Sequence, residues 1–254
     1  MSLPVGASSR RRGGLERAFS LGIAIAAVPV FSGRHWWVSL VIVLVACFAA
    51  GKWQDAAVLV AYWIPSVTSA PWPIHCFTAL AASALVNRSL IDRSAACEGR
   101  SLGARGTGSM IVTGIASGLV VVLIDKYRIV DSGFLLPWAR PSGAVLLLAV
   151  TFLAATNATG EEFVWRVYLR DHSSRLTVGN SYVLQSISFG LAHWNGIPSG
   201  FAGVAASSVF SAMCLSASRR YGFKGALVLH FAADVVIFGA VALHASFVGF
   251  YFGR

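Results

Sequence analysis

Residues 176–218 read LTVGNSYVLQSISFGLAHWNGIPSGFAGVAASSVFSAMCLSAS, 43 residues without one Asp, Glu, Lys or Arg. A water-soluble helix needs a charged or polar outer face, and this stretch provides none. Four further runs lack all four charged residue types: 18–33, 56–86, 107–124 and 141–160. A soluble core can produce one such run but not five, and each is long enough for at least one membrane crossing.

The 254-residue chain as a whole agrees, with 56% hydrophobic and only 12% charged residues, too few for the mixed-charge coat of a soluble domain. The net charge of +10 does not point to nucleic acid. Its basic residues lie in short clusters between apolar runs and not along one amphipathic face, the pattern of a positive-inside bias. Arg10, Arg11, Arg12 and Arg17 therefore hold the N-terminus in the cytoplasm. The run from Ala18 to Gly33 lacks a small-residue cleavage site and reads as an uncleaved first helix. The expected location is a bacterial inner (cytoplasmic) membrane. Cys47, Cys76, Cys97 and Cys214 form no close-spaced pair and read as small apolar residues.

Backbone in lipid must satisfy its own hydrogen bonds, and these runs are much longer than barrel strands, so the crossings are helices. The predicted fold is all-α, a polytopic transmembrane bundle of eight or nine helices near residues 17–33, 36–51, 55–70, 73–90, 108–125, 142–170, 178–194, 199–219 and 224–249. Pro65, Pro71 and Pro73 divide the third run from the fourth. Arg88, Arg93, Arg100 and Arg105, among Gly and Ser, mark a cytoplasmic linker. Counting onward puts 125–141 outside, Arg166, Arg170, Arg175, Arg219, Arg220 and Lys224 inside, and the C-terminus outside. The chain divides into N-terminal helices with the linker (1–104) and a second unit (105–254). No internal repeat is visible.

Ionisable residues inside such helices cost about 2.5–3.5 kcal/mol each on insertion scales, which makes them functional candidates. Three places carry them. In the first, an apolar helix from Gly143 runs into Thr159-Gly160-Glu161-Glu162-Phe163-Val164-Trp165-Arg166. Glu162 and Arg166 stand four apart with the acid first, the favoured order for a helical ion pair. Adjacent carboxylates differ by about 100° around a helix, so Glu161 and Glu162 cannot both serve one arginine, and one is free to face the bundle. The second is Phe189-Gly190-Leu191-Ala192-His193-Trp194-Asn195-Gly196. The third is His230-Phe231-Ala232-Ala233-Asp234, with two polar groups on one helix face.

Singly, each has a bland reading: a helix end in the headgroup layer, a packed histidine, a helix-stabilising pair. Together they set a glutamate, two histidines and an aspartate on three successive helices, where such groups escape lipid only by facing one another. The set suits water activation, with a carboxylate to take a proton, an imidazole to orient water and donors for an oxyanion.

At these residues the sequence resembles the CPBP family, the CAAX proteases and bacteriocin-processing enzymes also called Abi proteins. Its motifs, Glu-Glu-x-x-x-Arg, Phe-x-x-x-His and His-x-x-x-Asn or Asp, correspond in order to Glu161-Glu162 with Arg166, Phe189 with His193, and His230 with Asp234. The resemblance covers roughly residues 105–250. It implies an intramembrane helical bundle that cleaves a peptide bond near the C-terminus or membrane segment of a protein substrate. By that resemblance Glu161 activates water, His193 helps to position it, and His230 with Asp234 stabilises the oxyanion; Glu162 with Arg166, Phe189 and Asn195 play supporting parts.

The family has been described both as glutamate-dependent and as metal-dependent. The chain has no His-Glu-x-x-His helix, so a glutamate mechanism without cofactor is preferred. A zinc ion, if used, would take Glu161, His193 and His230 as ligands. The last motif more often ends in Asn, which donates through its amide. Asp234 either is protonated and donates, or is ionised and orients His230. The alternative from another class is a non-enzymatic membrane protein, a transporter or an immunity protein, with these residues lining the bundle; transporters usually show related halves, and none is visible.

Overall fold

The structure, a computed structural model, describes residues 21–27, 36–50, 57–61, 78, 81, 100–124, 143–170 and 177–252. All regular structure among them is helical. In chain order these are α1 (Trp36–Ala50), α2 (Ala104–Ile124), α3 (Gly143–Glu162), a π-helical turn Phe163–Tyr168 that continues α3, α4 (Val178–Ala192) and α5 (Gly200–Phe252). Residues 21–27 form a further helical stretch. The calls on Arg10 to Arg17, Pro65, Pro71 and Pro73, the linker as far as residue 99, and 125–141 lie outside the described residues. So does most of the crossings expected at 17–33, 55–70 and 73–90.

Among the described residues, three helices are long and apolar enough to cross a membrane: Ala104–Ile124, Gly143–Tyr168 and Gly200–Leu243, with mean hydropathies of 2.1, 1.6 and 2.2. The last has 44 residues, which as a straight helix would rise about 66 Å, twice the ~30 Å hydrocarbon core. It is divided at Gly222, whose φ of 71° and ψ of −170° are non-helical. Glycine populates that left-handed φ without penalty. The division falls between the basic residues Arg220 and Lys224, where two crossings were expected to part. Arg100 donates its backbone N–H to the Arg220 carbonyl at 2.9 Å, so the end of the predicted linker and the basic break share one end of the bundle.

The helix expected over 178–194 is shorter. Thr177 caps α4 by accepting the Asn180 N–H at 3.2 Å, and the helix ends at Ala192. Its 15 residues rise only ~22 Å. The chain turns through backbone bonds from Gly196 N–H to His193 O and from Gly200 N–H to Trp194 O.

Helix α5 is the centre, packed against α2, α3 and α4. Along α2, Gly114 and Gly118 permit close approach: a Cβ on Gly114 would lie 2.3 Å from the Leu229 carbonyl oxygen, and one on Gly118 2.7 Å from that of Ala233. Small residues four apart let membrane helices meet at the backbone. Helix α3 runs antiparallel to the second half of α5, with Val150 and Ala154 sharing a core cluster with Ala242 and Phe238. Leu119 and Leu123 of α2 and Leu147, Leu148 and Phe152 of α3 are exposed. Along these stretches apolar residues thus face outward while Glu161, Glu162, Arg166 and Asp234 are buried, and Arg105, Arg219, Arg220 and Lys224 are exposed, the arrangement lipid requires.

Candidate active site

The buried positions of α3 include Val150, Ala154, Asn157, Ala158, Glu161 and Glu162, largely one stripe at helical spacing that delivers the first motif to the interior. Beyond Glu162 the backbone changes to i→i−5 bonding, with Leu169 N–H on the Val164 carbonyl, and all six residues Phe163–Tyr168 are buried. Single π-turns of this kind are frequent at functional sites. Arg166 remains below Glu162, its Nε 3.1 Å from Glu162 Oε2, with neither side chain exposed. The guanidinium also lies over the Phe189 ring at 5.4 Å.

Helix α5 brings His230 and Asp234 to this place, one turn apart and both buried. His230 Nδ1 is 2.7 Å from Glu162 Oε1. Since a carboxylate accepts there, Nδ1 carries the hydrogen. The other ring nitrogen, Nε2, then points between two carboxyls, 3.5 Å from Glu161 Oε2 and 3.7 Å from Asp234 Oδ1. Both separations are too long for good hydrogen bonds. Asn157, one turn before Glu161, donates through Nδ2 to Asp234 Oδ2 at 3.1 Å. Two helical pairs thus face each other across antiparallel helices, Asn157 opposite Asp234 and Glu161 opposite His230.

The second motif meets this group through an aromatic ring. His193 caps the C-terminal end of α4 and is half-buried. Its Nδ1 bonds to the Phe189 carbonyl at 2.9 Å. The Phe189 ring stacks on His193 at 4.5 Å and meets His230 edge-on at 6.1 Å, so the two imidazoles flank one phenyl. Asn195 lies exposed on the turn after α4. Glu161, Glu162, Arg166, His230 and Asp234 therefore meet directly, and His193 stands beside them on Phe189.

Two residues of this cluster were not singled out from sequence. Asn157 carried a signal, a polar side chain one turn before Glu161 on the same face. Cys214 had only its apolar character to show, and it is buried as a free thiol beside Glu162 and His230.

A resident zinc ion is a poor fit to these residues. The predicted set, Glu161, His193 and His230, is not the one that converges. Among the described residues the ligand atoms lying within 4.8 Å of one another belong to Glu162, Cys214 and His230. In that group the 2.7 Å between Glu162 and His230 is shorter than the ~3.3 Å that separates tetrahedral ligands placed ~2.0 Å from zinc. It is the spacing of a shared proton. The Arg166 charge, already in contact with Glu162, would also face the ion.

The described helices thus bury three carboxyls, one guanidinium and an imidazole around a common point. Residues 142–236 match the family model described as Type II CAAX prenyl endopeptidase Rce1-like, which bears out the resemblance to the CPBP proteases on the stretch that holds all three motifs. This family implies a protease, acting on a protein substrate in a membrane. No curated protein and no solved structure matches the chain.

Proposed function

We propose that this protein is an intramembrane endopeptidase in which Glu161 activates a water molecule to cleave a peptide bond near a substrate's C-terminus or membrane segment. The observation that carries the reading is the division of labour between adjacent carboxylates. Glu162 is engaged by Arg166 and by His230 Nδ1, whereas Glu161 lies on the other side of the same imidazole, 3.5 Å from Nε2. A general base must lie close to the reacting water, within reach of the group that stabilises the developing charge.

In this mechanism Glu161 takes a proton from water as the oxygen attacks the scissile carbonyl carbon. The carbonyl π-electrons move onto oxygen, where His230, in this step the imidazolium with a hydrogen on each ring nitrogen, donates from Nε2 to the developing charge. Collapse of that intermediate breaks the C–N bond, and the proton held by Glu161 passes to the leaving amine. His193, beside Phe189, helps to position water from the half-buried edge of the site. Asp234 acts on Nε2 from the other side.

The same reading assigns residues 105–254 to the protease unit and 1–104 to N-terminal helices with a cytoplasmic linker. It keeps eight or nine helices, a bacterial inner membrane with the N-terminus in the cytoplasm, and no cofactor. Charge distribution supports a bilayer and not nucleic acid as the surrounding partner. The test is mass spectrometry of protein C-termini in membranes from cells carrying the wild type or Glu161→Gln. A C-terminus present only with the wild type supports the reading and identifies substrate and bond together; identical profiles, with both proteins folded in the membrane, contradict it.

A further inference from the structure

We propose that Asn157 is a positioning residue for this reaction, setting which oxygen of Asp234 works at the reacting centre. Asp234 is the position where the chain carries a carboxyl in place of the amide common in the family. An amide stands opposite it nonetheless, supplied by α3: Asn157 Nδ2 donates to Asp234 Oδ2 at 3.1 Å. Both residues are buried. The bond fixes Oδ2 as an acceptor and turns Oδ1 toward His230 Nε2, 3.7 Å away.

A purely structural asparagine between apolar helices would satisfy both ends of its amide, because a buried polar atom without a partner costs stability. Asn157 does not. Its Oδ1 is buried and, among the described residues, has no hydrogen-bond partner. Its one side-chain bond goes to Asp234, and it shares a helix face with Glu161, four residues on, so that a shift of either pair is felt by the other. Buried groups held in incomplete networks occur where function requires them.

The polarity of the pair makes the role testable. In Asp234→Asn the new amide must offer its oxygen to Asn157, so its NH2 faces His230. In the exchange Asn157→Asp/Asp234→Asn the same two groups are present, but the carboxylate at 157 accepts from the amide at 234, whose oxygen then faces His230. The exchange restores a bond between the helices and reverses what reaches the centre.

The kinetic arm rests on the peptidase reading above. With a cleaved peptide in detergent micelles, Asp234→Asn and the exchange variant should have similar thermal stabilities. Their kcat values should differ by roughly tenfold or more, as when a reacting group is displaced by about an ångström, and their KM values should agree within about twofold. Asn157→Leu should lose roughly tenfold in kcat; where it does not fold, the other two variants carry the test. Values of kcat within about twofold of each other, inactivity of both included, overturn the inference.

The second arm needs no substrate. Nitrogen-15 spectra of histidine-labelled protein, with His230 assigned through His230→Gln, should show Nε2 displaced in opposite directions in the two variants, one offering it a hydrogen and the other a lone pair. Unmoved resonances overturn the inference whatever the activity. If the wild type proves unable to cleave while the displacements appear, the peptidase reading fails and the placement of Asp234 by Asn157 stands.

Discussion

The buried ion pair beside the proposed base gives the sharpest energetic prediction. Glu162→Gln removes the charge that faces Arg166 Nε at 3.1 Å and His230 Nδ1 at 2.7 Å. Breaking a buried pair costs about 3–5 kcal/mol, because the remaining charge is left uncompensated. The guanidinium would keep the Phe189 face, worth ~2 kcal/mol, and among the described residues its Nη1 and Nη2 have no hydrogen-bond partner that meets good geometry. The upper part of the range, ~4–5 kcal/mol, is therefore expected. Arg166→Met leaves Glu162 its bond from His230, a charge-assisted contact worth ~1.5–3 kcal/mol, and should cost nearer ~3 kcal/mol. Against a total stability of ~5–15 kcal/mol, either variant will also lower expression. The double variant Glu162→Gln/Arg166→Met buries no unpaired charge there and should lose less than either single one, a coupling of at least ~4 kcal/mol. Denaturing-detergent titration in mixed micelles, followed by circular dichroism, measures all three. Losses that add to within ~0.5 kcal/mol would refute the reasoning, since they would mean that each charge is solvated independently of the other.

Glu161→Gln should fold normally and lose at least ~10²-fold in kcat, the scale of a general base; substantial cleavage by that variant removes Glu161 from the reaction. Purified wild type treated with a strong chelator and checked by elemental analysis should cleave at an undiminished rate, whereas activity that tracks bound zinc would reject the glutamate mechanism. Gly114→Leu should separate α2 from α5, because its Cβ meets the Leu229 carbonyl oxygen at 2.3 Å, costing ~1–3 kcal/mol or more in the same detergent titration. Gly108→Ala on that helix, with nothing within 4 Å of the new Cβ, should gain ~0.4–1 kcal/mol, and equal effects at the two positions would count against the close approach.

The fold was legible where lipid dictates it. Charge-free runs identified the helices α2, α3 and α5, and the Arg219, Arg220 and Lys224 cluster marked the place where Gly222 divides α5. Helical spacing alone anticipated the Glu162–Arg166 pair. Features that depend on packing left weaker traces. The apolar pattern around Trp194 continues smoothly, so it did not reveal that α4 stops at Ala192. Nothing in Phe163-Val164-Trp165-Arg166-Val167-Tyr168 distinguishes a π-turn from an α-turn, because the difference lies in which carbonyl Leu169 reaches. His193 was expected among the carboxylates, and its motif spacing could not show that Phe189 mediates its contact with His230. Asn157 was overlooked because an uncharged amide in an apolar run resembles a tolerated packing residue until its partner, 77 positions away, is known.

The cluster also explains why the first motif needs two adjacent glutamates. A buried imidazole between carboxylates could rotate or exchange partners, and either movement would scramble the site. Glu162, anchored by Arg166, takes Nδ1 at 2.7 Å and so leaves only Nε2 to face the centre. Asn157 takes Oδ2 of Asp234 and leaves only Oδ1. What converges is Glu161, His230 Nε2 and Asp234 Oδ1, at separations of 3.5 and 3.7 Å, close enough for one reacting oxygen set beside them to reach more than one of these groups. Both outer partners belong to α3 and both oriented residues to α5, so the antiparallel packing of these two helices sets all the directions at once. A displacement of one helix by a single turn would pair Glu161 with Asp234, carboxyl against carboxyl, and the burial that strengthens each present contact would then oppose the arrangement.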